Sequence, residues 1–143
     1  MYHYLESGLR NIWLENGFRE IDTPEGKALA VDNVEGLHRA IGSTLLAKAK
    51  LTGAEFRFLR KELGLSQANA GSLLGVSTQS VALWEKHGRL PGPAERLMRV
   101  IYKQKLEKNP DVILLLKKLN ELDRSFAERL SFAQRGETWR LAA

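Results

Sequence analysis

The amino-acid sequence predicts a mainly α fold, a bundle of four to five helices with a small N-terminal antiparallel β-sheet and a C-terminal helix. Apolar residues recur at helical spacing from residue 34 onward, and Ser, Thr, Gly and Pro stand where helices should begin and end. Turn signals separate short aliphatic and aromatic runs within the first thirty residues. With 143 residues and 43% apolar content, the chain can bury one ordinary core.

The first part of the chain is predicted to hold the β-structure. An Asn-Gly pair at residues 16–17 supplies the positive φ of a two-residue hairpin turn between two apolar runs. The Thr-Pro-Glu-Gly sequence at residues 23–26 is a second turn signal, and residues 27–31 add a third strand. We therefore expect one small antiparallel sheet before the first helix.

Helix boundaries are well marked in the rest of the chain. Asp32 or Asn33 caps a helix predicted over residues 34–50, and Thr52 with Glu55 forms a capping box for the next helix. The helices that follow are predicted over residues 52–63, 66–74, 77–86, 94–105 and from 110 onward. The last of these carries an apolar stripe that is either plain core or a dimer seam: Leu115, Leu119, Leu122, Phe126 and Leu130. Residues from Gln134 onward lack a clear pattern, so we expect them to fray.

Composition excludes several kinds of site. The chain has no Cys, so disulfide frameworks, thiol nucleophiles and cysteine-ligated zinc are excluded. His3, His38 and His87 lack metal-ligand spacing, and we expect neither a metal nor a cofactor. No run approaches the ~20 apolar residues of a membrane helix, and the N-terminus does not resemble a signal peptide. We therefore expect a cytoplasmic protein that contacts no membrane.

Positive charge is concentrated in the middle of the chain. Residues 52–106 carry nine Lys or Arg against four Asp or Glu, whereas residues 1–51 carry six against seven and residues 107–143 seven against six. This distribution is typical of a module that approaches a polyanion such as DNA. We expect the chain to divide into an accessory or dimerisation segment at 1–51, a DNA-binding domain at 52–106, and a C-terminal helix and tail at 107–143 that also offers a dimerisation surface; the motif described next carries the central assignment.

The stretch SQANAGSLLGVSTQSVALWEK meets the geometric demands of a helix-turn-helix. Gly71 supplies the small residue where two helices must cross closely, Gly75 tolerates the left-handed φ of the turn, and Val76 is an apolar anchor. In the second helix, Val81 is the aliphatic residue to be buried against the first helix, and Trp84 fills the core.

The segment from Phe56 to Tyr102 resembles the Xre or lambda-repressor family of helix-turn-helix domains, which implies a repressor-like bundle. The matching elements are Leu59-Arg60, Gly64-Leu65-Ser66-Gln67, Gly75-Val76-Ser77, Val81, Trp84-Glu85 and the Pro-bearing loop before the next helix. One departure is Ala70-Gly71, where the family has a larger aliphatic residue followed by Ala. We expect this glycine to cost the helix roughly 1 kcal/mol while allowing a closer helix crossing.

The resemblance implies roles for particular residues. In the family, the start of the recognition helix reads base edges, which points to Thr78, Gln79, Ser80 and Leu83, although the three polar residues alone also fit a solvated helix start. Arg60 and Glu85 match a structural ion pair. The predicted phosphate contacts are Gln67, Ser77, Lys86, His87 and Arg89; the basic residues among them also fit a solvated cluster that favours the helix dipole.

A less specific resemblance extends outward to bacterial MqsA-type antitoxin regulators, through YHYLESGLRNIWLENGF, GLHRAIG and LTGAEFRFLRKELGLSQ. Those proteins usually carry a zinc-binding N-terminal half, which this Cys-free chain cannot form. Its N-terminal sheet must instead be held by apolar contacts among Tyr4, Leu9, Ile12, Trp13, Leu14 and Phe18.

The expected function is that of a homodimeric repressor that binds a double-stranded, pseudo-palindromic DNA operator, its own promoter included. One alternative is an antitoxin that also represses and whose N-terminal segment binds a toxin protein. Another is an adaptor that uses the domain for protein contacts without DNA. We expect no enzymatic activity, because no nucleophile, metal or Gly-rich phosphate loop accompanies the acidic residues around the hairpin: Glu6, Glu15, Glu20 and Asp22.

Overall fold

The computed structural model describes residues 1–120 and 130–142, and within them the protein is mainly α, as the sequence predicts. The helices are α1 (Val34–Leu46), α2 (Gly53–Glu62), α3 (Gln67–Leu74), α4 (Thr78–His87), α5 (Gly92–Leu106) and α6 (Pro110–Asn120). The strands are β1 (Tyr2–His3), β2 (Trp13–Leu14), β3 (Phe18–Thr23), β4 (Gly26–Val31), β5 (Phe132–Arg135) and β6 (Thr138–Leu141). Across these described ranges, no helix is long and apolar enough to cross a membrane.

The N-terminal strands form two separate antiparallel pairs, β1 with β2 and β3 with β4, rather than the single predicted sheet. The predicted hairpin turn at residues 16–17 is wrong, because the strand before it pairs with the N-terminus, where Tyr4 N donates to Ile12 O at 2.9 Å. Gly17 does adopt a positive φ of 77°, but it links the two sheets. The turn at residues 23–26 closes the β3–β4 hairpin as predicted.

The predicted helix caps are confirmed at four helices. Asn33, Ser66 and Ser77 each accept a hydrogen bond from a backbone amide of the following helix, and Thr52 with Glu55 forms the complete capping box. The first helix ends at Leu46, four residues before the predicted end at residue 50. Arg99 of α5 explains this early end, since its Nη1 donates to the carbonyls of Leu46 and Lys48 at 3.2 and 2.5 Å.

One hydrophobic core joins α1, α2, α4 and α5 to the N-terminal strands. Its fully buried side chains include Phe56 and Leu59 of α2, Val81 of α4 and Met98 of α5. Gly42 of α1 allows a close approach to α5, because a Cβ there would overlap the Tyr102 ring. Burial, and then the charge of Glu62, raises the pKa of Tyr102 to about 12.

Five of the six apolar residues predicted to hold the N-terminal strands do so. Tyr4, Leu9 and Leu14 are buried in the core, and Ile12 and Phe18 pack partly buried against it. Trp13 does not, because successive strand residues face opposite sides and Leu14 takes the inner one. The Trp13 ring instead stacks on His3 at a centroid distance of 4.0 Å and remains 55% exposed.

The C-terminal part differs from the sequence prediction in two ways. On α6, Leu116 is the buried residue and Leu119 is partly buried, whereas Leu115 is exposed, so the inner face shares Leu119 with the predicted stripe but contains Leu116 in place of Leu115. Leu130 is also exposed, and Leu122 and Phe126 lie outside the described residues. The predicted fraying from Gln134 is wrong: β5 and β6 form a hairpin whose turn contains Gly136 at a φ of 62°.

Candidate nucleic-acid interface

The turn between α3 and α4 has the geometry that the sequence predicts for a helix-turn-helix. Gly75 caps α3 at a left-handed φ of 73°, and Val76 N donates to Gly71 O at 2.9 Å. A Cβ on Gly71 would lie 2.7 Å from the Val76 carbonyl oxygen, closer than real Cβ contacts come. Glycine at residue 71 is therefore what lets α4 begin so close to α3, while Val81 is completely buried between α4 and the core.

An ion pair between Arg60 and Glu85 fixes α4 against α2. Arg60 donates to the two carboxylate oxygens of Glu85 at 2.6 Å through Nε and 3.0 Å through Nη2, and both side chains are more than nine-tenths buried. The remaining Arg60 nitrogen, Nη1, donates to Leu65 O at 2.8 Å, just before α3. This predicted pair thus holds three helices in one arrangement. Trp84, the residue before Glu85, is half-buried, and its ring packs edge-on against the Phe56 ring at a centroid distance of 6.1 Å.

The first turn of α4 presents its predicted base-contacting side chains unequally. Thr78 and Gln79 are exposed, and Leu83, one turn later, is a large apolar side chain that is 54% exposed. Ser80 is half-buried, and its hydroxyl lies 3.0 Å from that of Ser77. Three of the four predicted base-contacting residues are therefore open to solvent, and the fourth is engaged with the helix cap.

Three of the predicted phosphate-contacting residues lie at the end of α4 and in the loop that follows it. Lys86 and His87 are exposed at the end of α4, and Gly88 turns the chain at a φ of 74° toward the exposed Arg89. Arg89 and His87 line one shallow surface cavity together with Ser80, Leu83 and Trp84. The fold thus places basic groups beside the exposed apolar side chain of the predicted base-reading face.

Gln67 and Ser77 lie at the N-termini of α3 and α4. The Ser77 hydroxyl accepts a hydrogen bond from Ser80 N at 3.1 Å and so caps α4, and Ser77 remains exposed to solvent. Gln67 is half-buried, and its Nε2 donates to Glu85 Oε1 at 3.2 Å, a bond that sequence reasoning missed. An amide nitrogen carries two hydrogens, so one remains for an outside acceptor such as a phosphate oxygen.

Two further residues, Arg57 and Gly53, lie at this site. Arg57 on α2 is exposed and its Nε lies 3.9 Å from Glu85 Oε1, which adds positive charge beside the buried pair. Gly53 opens α2 directly against the last turn of α4, where a Cβ would overlap the Glu85 and Trp84 carbonyl groups. A glycine at a helix start, immediately after its cap, is the signal that could have indicated such a close approach.

Comparison of the chain with known protein families, with curated proteins and with solved structures gives no match. Over residues 1–120 and 130–142 there is no cluster of three or more His, Asp or Glu side chains that could hold a metal ion. The function proposed for this surface therefore depends on its own residues and geometry.

Proposed function

We propose that this protein is a cytoplasmic, sequence-specific DNA-binding regulator that represses transcription as a dimer. The observation that carries the proposal is the exposed first turn of α4, held rigidly on a helix-turn-helix by the Arg60–Glu85 pair. A helix presented in this way fits the DNA major groove, which is wide enough to admit it. Arg60 and Glu85 are also among the residues that carry the resemblance to the Xre or lambda-repressor family.

The chemistry of the exposed side chains suits base reading. The Gln79 amide has a donor and an acceptor on one planar group, which matches the N6 and N7 edge of adenine. The Thr78 hydroxyl can donate or accept, and the exposed Leu83 side chain suits contact with a thymine methyl group. These three residues give the proposed interface its sequence preference.

Affinity in this proposal comes from phosphate contacts. His87 and Arg89 line a surface cavity with Leu83, Lys86 is exposed in the same last turn of α4, and Gln67 retains one amide hydrogen for an outside acceptor. Such contacts neutralise phosphates whatever the sequence, so they position α4 without specifying bases. The excess of basic over acidic residues across residues 52–106 favours the same approach.

A symmetric pair of these domains would read two half-sites about one helical turn apart, which gives far higher specificity than one domain. Exposed apolar side chains on α5 and α6 support the association of two copies: Leu97, Val100, Leu114 and Leu115. Association with a second copy would remove such apolar side chains from water, which favours dimerisation. Sedimentation of the protein with and without DNA measures this association.

The decisive experiment is selection from a random pool. The purified chain is incubated with random double-stranded DNA, and bound duplexes are recovered, amplified and sequenced over several rounds. A sequence-specific dimer enriches one motif with two-fold symmetry. An adaptor that contacts only proteins enriches no motif, and that result would refute the proposed function.

A further inference from the structure

A shallow cleft runs from the last turn of α4 to the N-terminal part of the chain. It is lined by residues from three places: the loop after β1, the loop between α1 and α2, and the end of α4. Its basic members, here called the basic cleft, are Arg10, Lys50, Lys86 and His87. Two of the four, Arg10 and Lys50, lie outside the helix-turn-helix.

Buried neighbouring residues fix the backbone positions of Arg10 and Lys50. Arg10 follows Leu9, which is 3% exposed in the core, and the Arg10 carbonyl lies 2.5 Å from His3 Nε2. Lys50 precedes Leu51, which is 2% exposed and whose amide donates to Glu95 Oε1 at 3.2 Å. Each exposed cation is therefore attached to backbone that the core holds in place.

The α1–α2 loop is also held close to α4. Gly53 opens α2 against the Trp84 and Glu85 carbonyl groups, and the Gly88 region lies near enough that a Cβ there would be 3.5 Å from Gly53 N. Since Lys50 stands only three residues before Gly53, it is presented beside Lys86 and His87. The basic cleft is thus continuous with the predicted phosphate-contacting end of α4.

The positive charge of the cleft is not neutralised locally. Among the described residues, Arg10, Lys50, Lys86 and His87 take part in no ion pair within 4.0 Å. Glu85 is the acidic residue that lines the cleft, and its carboxylate is engaged by Arg60; the Glu55 carboxylate in the first turn of α2 is engaged by Lys48 at 2.6 Å. An uncompensated group of cations next to a DNA-reading helix suits the phosphate backbone.

We propose that the basic cleft binds DNA backbone phosphates beyond those that α4 and its flanking loop reach, so that Arg10 and Lys50 extend the interface. This inference rests on the proposed function. The cleft offers cations and no base-reading side chain, so its contribution is the same for every DNA sequence. The N-terminal segment then serves as an electrostatic clamp on the duplex, in addition to any protein contact it makes.

The test compares the double variant Arg10→Ala/Lys50→Ala with the wild-type chain. Fluorescence anisotropy measures binding to the selected duplex and to a random-sequence duplex of about 30 base pairs, long enough for two half-sites and flanks. Removing two phosphate contacts from each protomer of the proposed dimer, four in all, should lower the slope of log K against log salt by about four and weaken binding at ~0.1 M salt by tenfold or more. Both duplexes should lose the same factor.

The matched control is Arg19→Ala/Lys103→Ala, which removes the same charge from two exposed positions that do not line the cleft. The control should keep the wild-type slope to within a few tenths, and thermal melting should show that both variants fold. If the cleft variant binds with the wild-type slope, or if the control loses as much as the cleft variant, the clamp is refuted while DNA binding stands. If the wild-type chain binds neither duplex, the clamp and the proposed function both fall.

Discussion

Arg60 on α2 and Glu85 in the last turn of α4 form a two-pronged ion pair, at 2.6 and 3.0 Å, that is closed off from solvent. Gln67 at the start of α3 donates to the same carboxylate at 3.2 Å. The position of the proposed base-reading helix therefore depends on one buried carboxylate that three helices share.

Glu85→Ala should lower the free energy of unfolding by about 3–5 kcal/mol, because it leaves the buried Arg60 guanidinium without a counter-charge. Replacing both partners, as in Arg60→Met/Glu85→Leu, should cost less than Glu85→Ala alone. Urea denaturation followed by circular dichroism measures both values. Arg57→Ala is the control and should change stability by less than ~0.5 kcal/mol, since Arg57 is exposed and 3.9 Å from the carboxylate. A small loss for Glu85→Ala would show that the pair does not hold α4.

Gly71→Ala should destabilise the protein by about 1–3 kcal/mol and weaken DNA binding. A Cβ at residue 71 would press on the Val76 carbonyl oxygen at 2.7 Å and lie 3.3 Å from the Ser77 carbonyl group, and these backbone atoms cannot move aside as the end of a flexible side chain can. Gly92→Ala provides the comparison, because a Cβ there meets only the end of the Arg96 side chain at 3.9 Å. Thermal melts of the two variants should differ clearly, and equal melting temperatures would contradict the close crossing of α3 and α4.

The ionisation of Glu55 should make the free energy of unfolding depend on pH. Burial raises the pKa of this carboxyl group, but hydrogen bonds from Lys48 and from the Thr52 amide, together with the Lys48 charge, outweigh burial and hold the pKa below its ordinary value of 4.5. A carboxylate with a lowered pKa stabilises the fold at neutral pH, and this contribution is lost as the pH falls below about 4.5.

Glu55→Gln measures that contribution. The difference in urea midpoint between wild type and this variant should be largest near neutral pH and should shrink as the pH falls toward and below about 4. Glu20→Gln is the matched control, because the Glu20–Lys27 pair is exposed and spans 3.6 Å. A Glu55→Gln deficit that stays constant from neutral to acid pH would contradict a stabilising ionised Glu55.

Arg89→Ala should weaken binding to the selected and to the random duplex by the same factor. Loss of one phosphate contact lowers the slope of log K against log salt by about one per protomer, and so by about two for the proposed dimer. Arg89 lines the same surface cavity as Leu83 and His87, which places its charge beside the proposed groove contact. Titrations at several salt concentrations supply the slope, and an unchanged slope would remove Arg89 from the phosphate contacts.

The sequence predicts those parts of the fold that depend on interactions between residues close together in the chain. Thr52, Ser66 and Ser77 cap helices through amides only three residues away, and Gly75 supplies a positive φ that few other residues tolerate. Pairing between distant segments is different. The Asn-Gly pair at residues 16–17 has the composition of a hairpin turn, yet β2 finds its partner at the N-terminus.

The candidate site divides in the same way. Gly71 and Val81 follow from fixed spacing along the chain, and the Arg60–Glu85 pair follows from the resemblance to the helix-turn-helix family; the structure places each of them as predicted. The Gln67 bond to Glu85 joins residues 18 positions apart. The convergence of Arg10 and Lys50 on the end of α4 depends on how the loop after β1 and the α1–α2 loop pack against that helix end. Neither leaves a periodic signal in the sequence.

The most direct test of DNA reading by α4 is the specificity ratio of Gln79→Ala. Binding constants for the selected and the random duplex are measured side by side for wild type, Gln79→Ala and the control Gln134→Ala, which truncates an exposed glutamine on β5. Loss of a base contact should cost about 1–3 kcal/mol at each half-site of the selected duplex, a drop in the ratio of roughly 30-fold or more for the dimer, with the random duplex unaffected. A Gln79→Ala ratio equal to that of wild type would contradict base reading by this helix.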